Sequence, residues 1–215
     1  MSEIDELERD VTRFQAKADL DRVDPARLAA VIDSIQGTLS TVLHRAKTRG
    51  DHLLAGQSAC SWAAAQCRMS RTSAADRLCV GEQLENLPRV GRALSSGDIG
   101  YQSAAVICHL SDQLGEKRDC IDEAQWIAFA QRFSIKDLRY LASEARMRWD
   151  PDGAERHAAE KFELRSLDIS ETLHGMYRLD GWLDPVGGAA FKAAIESLSR
   201  PLGPDDGRSS RQRRA

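Results

Sequence analysis

The side chains in this sequence best suited to holding a polyanion surround one polar joint. The stretch SWAAAQCRMSRTSAADRL, Ser61 to Leu78, reads as two short helices meeting at Met69-Ser70, with Arg68 just before the joint and Arg71 and Thr72 just after it. In a helix-turn-helix that reads DNA, the second helix inserts its N-terminal residues into the major groove. Arg71 has the donors for a bidentate contact to guanine, and Thr72 has a methyl and a hydroxyl for a thymine methyl or a phosphate. Asp76 and Arg77 follow one turn further, while Trp62, Ala63, Ala64, Cys67, Met69, Ala74, Ala75 and Leu78 form the packing side. Two positions depart from the usual pattern. Arg68 stands where glycine is common, and a left-handed conformation there costs about 1 kcal/mol. Arg77 stands where an apolar, core-facing side chain is usual. The rival reading is two core helices that happen to meet at a polar turn.

A second basic set lies further along. Arg132 to Trp149 holds five basic residues against two acids, including Lys136, Arg139 and Arg146, whereas Ser58 to Leu110 holds five arginines against four acids. Phosphate contacts come from several basic groups acting together, so this later face competes with the first. The candidate DNA-binding residues are therefore Arg68, Arg71, Thr72, Arg77, Lys136, Arg139 and Arg146. The alternative for a charge-rich helix is a solvated face.

Other chemistry finds little footing. Five cysteines (Cys60, Cys67, Cys79, Cys108, Cys120) form an odd set with no C-x-x-C spacing, which fits reduced thiols rather than zinc ligands. There is no G-x-x-x-x-G-K-[ST] phosphate loop, no G-x-S-x-G elbow and no H-E-x-x-H. Gly181 and Gly187-Gly188 flank a helix start and are read as tight packing. No catalytic residue, metal site or cofactor is expected.

Composition narrows the class further. With 42% hydrophobic and 29% charged residues and no apolar run long enough to span a bilayer, a soluble globular chain without a membrane partner is expected. The start, MSEIDELERD, carries five acids and one arginine, the reverse of a signal peptide, so a cytoplasmic location is expected. A net charge of -3 argues against blanket polyanion binding, and any nucleic-acid contact must be local.

The elements that must position these residues are mainly helical. Ile4, Leu7, Val11, Phe14 and Ala18 recur at alternating spacings of three and four, predicting an amphipathic helix within 1-22. Asp24-Pro25 then supplies an N-cap and an N1 proline for a helix that runs to Gly50. Residues 23-150 form a helical domain with joints near Arg68-Ser70, Ser96-Gly100 and Arg132-Ser134, the last with Ser134 and Asp137 spaced as a capping box. Trp149-Asp150-Pro151-Asp152-Gly153 is expected to stop the helix and start a turn. Residues 151-200 predict strands in KFELRSLDI and GMYRLDGWL joined across Ser170 to His174, then a helix capped by Asp184-Pro185. Phe162 and Leu164 are out of phase with Leu167 and Ile169, which predicts a bulge near Arg165-Ser166. Residues 201-215 read as a basic linker. The fold class expected is mainly α: a multi-helix bundle with helix-turn-helix-like units, followed by a small β-hairpin plus helix.

These pieces resemble a known family. W-x-x-x-x-x-x-M-S-R-x-x-A-A from Trp62 to Ala75, LPRVGRALSSGDIGYQSAAVI from Leu87 to Ile107, and TLHGMYRLDGWLDPVGGAAF from Thr172 to Phe191 are similar to the actinobacterial 13E12 repeat family, also called domain of unknown function 222, across roughly Val23 to Ala215. That resemblance implies a domain that precedes an HNH endonuclease, with the chain ending before the nuclease part. An HNH site needs a histidine to activate water, another to help hold a divalent metal, and an asparagine to orient the first. Asn86 is the only asparagine, its nearest histidines His52 and His109 are 34 and 23 positions away, and the five histidines (His44, His52, His109, His157, His174) form no cluster. Each is read as a surface or helix-packing residue. RALSSGDIGYQSAAVI is also similar to the helical core of ParB-type partition proteins.

Three functions stay open on these grounds. A non-catalytic DNA-binding or targeting module leads, with DNA and a separately encoded HNH nuclease domain as partners. A protein-interaction module, including a homo-oligomer formed through the N-terminal helices, is the alternative. An inactive remnant of a mobile repeat element fits the same residues.

Overall fold

The computed structural model describes residues 2-172, 175-201, 203 and 206-214. The chain divides into two compact units, one ending at Trp149 and one beginning at Asp150.

The first unit is helical, as the periodicity requires. Helix α1 (Glu3–Lys17) is capped by Ser2, whose side chain accepts from the Asp5 amide. Helix α2 (Pro25–Arg49) begins where Asp24 accepts from the Ala26 amide, and stops where Gly50 turns left-handed at φ 82° and returns its N–H to Ala46 and Lys47. The short α3 (Asp51–Leu54) and α4 (Ala59–Gln66) lead into α5 (Arg71–Asn86), α6 (Pro88–Ser96) and α7 (Tyr101–Leu114). Helices α8 (Glu123–Arg132) and α9 (Ile135–Trp149) complete the unit.

Helix α7 is the centre of it. Val106, Ile107, Cys108 and Leu110 are buried among Val80, Val90, Leu94, Trp126 and Leu138 from its neighbours. Helix α5 lies against α2, α4 and α7, and at Gly81 it approaches the α2 backbone so closely that a Cβ would sit 2.1 Å from the Ser40 carbonyl oxygen. Only glycine admits that approach. A smaller cluster of Leu43, Ala63, Ala74 and Leu78 sits under the α4–α5 joint, flanked by Trp62, Ala64, Cys67 and Met69. Ala75 alone of the expected packing set is exposed.

The second unit departs from expectation at its start. The break at Trp149-Asp150 is present, but Pro151 opens a helix, α10 (Pro151–Glu163), rather than a turn. Proline's fixed φ suits the first helical position as well as it suits a turn. Phe162 therefore belongs to that helix, Leu164 and Arg165 connect, and β1 begins only at Ser166. The change of phase that suggested a bulge is a helix-to-strand boundary. Strand β1 (Ser166–Glu171) pairs antiparallel with β2 (Tyr177–Trp182), Ile169 opposite Leu179, so Ser170 and Glu171 are strand and Leu173 and His174 of the expected turn lie outside the described residues. Asp184 caps α11 (Pro185–Leu198) by accepting from the Val186 and Gly187 amides. A last turn of helix, α12 (Ser210–Arg213), closes the unit. The architecture is mainly α with a small hairpin and helix.

Candidate functional site

The α4–α5 joint is built by local bonds. The Met69 amide reaches back to the Ala64 carbonyl at 3.0 Å, and Ser70 caps α5 by accepting from the Ser73 amide at 3.0 Å. Between them Arg68 takes φ 51°, the left-handed conformation expected of that position and the only positive φ at a non-glycine residue among those described. This throws Arg68 outward. Arg71 and Thr72, in the first turn of α5, are exposed as well. The N-terminal end of a helix carries partial positive charge, which adds to that of the two arginines.

One turn further the expectation fails. Asp76 and Arg77 turn inward rather than toward solvent. Arg77 donates from Nη2 to Gln36 Oε1 at 3.4 Å and lies 5.6 Å from the centroid of the Tyr101 ring, and its Nε is buried. It belongs to the α2–α5–α7 packing and drops out of the candidate set.

Asp76 anchors a polar network that pattern reading missed. Its Oδ1 is 2.7 Å from His109 Nε2, and its Oδ2 accepts from the Tyr101 hydroxyl at 3.2 Å. The Tyr101 and Ser40 hydroxyls meet at 3.1 Å, and Cys79 Sγ is 3.4 Å from His109 Nδ1. The hydrogen bond to Asp76 pushes His109 up to about 10. The same bond holds the Asp76 carboxyl below its ordinary value, and burial pushes Tyr101 up to about 12. At neutral pH both imidazole nitrogens thus carry protons, one donated to Asp76 and the other facing sulfur. The sequence held a faint signal: Asp76 and Cys79 share a face of α5 at i, i+3 spacing.

The α8–α9 joint is simpler. Phe133 and Ser134 join the helices, the Asp137 amide donates to Ser134 Oγ at 3.2 Å, and that hydroxyl donates to Asp137 Oδ2 at 2.7 Å. Helix α9 lies against α7 and α8, leaving Lys136, Arg139 and Tyr140 exposed, while Arg146 is half-buried. Arg68, Arg71, Lys136 and Arg139 form no ion pair or side-chain hydrogen bond among the described residues. The structure thus leaves Arg68, Arg71, Thr72, Lys136 and Arg139 of the candidate set at the surface, at the starts of two second helices.

Other groups are spoken for. His44 is buried, 3.5 Å from Glu85, and the Asn86 amide donates to Gln83 Oε1 at 3.3 Å. Among the described residues no three His, Cys, Asp or Glu side chains converge to hold a metal, and no helix is long and apolar enough to cross a membrane.

No curated protein and no solved structure matches the chain. The family model described as domain of unknown function (DUF222) matches residues 16–215, and the chain belongs to that family.

Proposed function

We propose that this chain is a non-catalytic DNA-binding and targeting module that works beside an HNH nuclease domain. The observation that carries the reading is the set of cations without an ion pair among the described residues, Arg68, Arg71, Lys136 and Arg139, held at the starts of α5 and α9 beside short helix joints. Cations so placed, with Thr72 and Tyr140 beside them, suit phosphate contact and base-edge contact from one helix end. The net charge of -3 confines that contact to these ends. Arg71→Ala and Arg139→Ala should each weaken duplex binding by about 1 kcal/mol, measured by fluorescence anisotropy at low salt. Unchanged affinity in both variants would remove the reading.

A second reading has its own support. The apolar seam of α1 is exposed, with Ile4 58% and Val11 43% accessible, as is Ile32 of α2. Self-association through these helices would cover them. Light scattering of the chain before and after deletion of residues 1-22 tests this; a monomer in both cases excludes it.

A further inference from the structure

The polar network between α2, α5 and α7 contains a sulfur that none of the binding chemistry uses. Cys79 Sγ, His109 Nδ1 and Asp76 Oδ1 follow one another as nucleophile, imidazole and orienting carboxylate, at 3.4 Å from sulfur to nitrogen and 2.7 Å from nitrogen to oxygen. That order is how a protein activates a thiol: the carboxylate fixes the ring, and the ring's other N–H lies against sulfur. The Tyr101 hydroxyl, bonded to the second Asp76 oxygen, stops the carboxylate from rotating away. The site is reachable, with 40% of the His109 side chain and 33% of the Asp76 side chain exposed and Cys79 half-buried. Cavities at the α2–α6 groove, the α8–α9 groove and the hairpin are lined by other residues, and a half-buried sulfur suits a small reactant.

We propose that Cys79, His109 and Asp76 form a peroxide-reactive thiol site, in which the His109 imidazolium stabilises negative charge on sulfur as it attacks. The sulfur lone pair attacks one peroxide oxygen. An S–O bond forms as the O–O bond breaks, sulfur loses two electrons to the peroxide, and the departing hydroxide takes up the proton the thiol gave up, leaving a sulfenic acid and water. The other thiols supply the control. Cys60 and Cys67 are half-buried like Cys79, and no hydrogen bond ties either sulfur to a histidine among the described residues.

The test treats the reduced full-length chain with limiting hydrogen peroxide and a 1,3-dione that traps sulfenic acid, and maps the adducts by peptide mass spectrometry. Cys79 should be trapped roughly tenfold faster than Cys60 and Cys67. His109→Gln should bring Cys79 down to their rate without changing theirs. Trapping of Cys79 no faster than Cys60 and Cys67 in the unaltered chain overturns the proposal, whether or not the variant folds. So does an unchanged Cys79 rate in a folded His109→Gln chain. DNA binding plays no part in either outcome.

Discussion

The α4–α5 and α8–α9 joints are alike in sequence character, yet they are held by different means and leave different surfaces free. At the first, small residues let helices approach closely: Ala63 and Ala74 are fully buried, and Gly81 brings α5 onto the α2 backbone. At the second, aromatic rings fill the space, with Trp126 edge-on to Phe129 at 5.8 Å and to Trp149 at 6.4 Å. Helix α5, enclosed by α2, α4 and α7, turns Asp76 and Arg77 inward, and its exposed residues are confined to Arg71, Thr72, Ala75 and its last turn. Helix α9 has fewer neighbours and keeps a longer exposed face. The number of neighbours decides how much of a second helix remains for a ligand.

The difference can be broken at either joint. Trp126→Ala should cost about 3–5 kcal/mol in denaturant unfolding, because Trp126 is 2% exposed and nothing small can fill its place. Gly81→Ala should cost about 3 kcal/mol, since its added carbon meets rigid α2 backbone. If Gly81→Ala unfolds no more easily than the natural chain, α2 and α5 are not held as closely as described.

A pH series sharpens the contrast, because the titrating contact ties α5, and not α9, to α7. His109 faces Asp76 and Cys79 from α5; Asp76 in turn accepts from Tyr101, whose hydroxyl meets Ser40 of α2 and whose ring lies beside Arg77. Its value near 10 lies above the ordinary 6.5, so the contribution is whole below 6.5 and is lost as pH rises through about 10. Asp76, held below its ordinary 3.8, contributes above 3.8 and loses it as pH falls through its lowered value. Urea unfolding of the natural chain and of His109→Gln should therefore differ most between 3.8 and 6.5 and converge by strongly alkaline pH. A difference that grows with rising pH would contradict the ion pair.

The smallest effect expected is at Arg68. Arg68→Gly should raise stability by about 0.5–1 kcal/mol by relieving the left-handed backbone, while weakening duplex binding. Stability and affinity moving together would mean that Arg68 serves the fold alone.

What the sequence revealed follows the range of the forces. Caps at Asp24 and Asp184, the stop at Gly50 and the left-handed strain at Arg68 are local, so residue types within a few positions disclose them. The inward turn of Asp76 was hidden because its partner His109 is 33 positions away, and helical spacing says nothing about which helix a face meets. Phe162 misled for a related reason: its alternation with Leu164 suits a strand, but Pro151 had already started a helix that reaches Glu163. Of the candidate set, the exposed ends of α5 and α9 were legible, and the loss of Arg77 to packing was visible only as an arginine in an apolar position.

The central claim is that a net-negative chain holds duplex DNA through a few cations at two helix ends. Titrating a duplex into the intact chain across a salt series tests it most directly: the account predicts binding at low salt, with log affinity falling by about 0.9 per phosphate contacted for each unit of log salt. It further predicts that Arg68→Ala/Arg71→Ala and Lys136→Ala/Arg139→Ala will each flatten that slope by about 2. No binding at low salt, or affinity indifferent to salt, would contradict it.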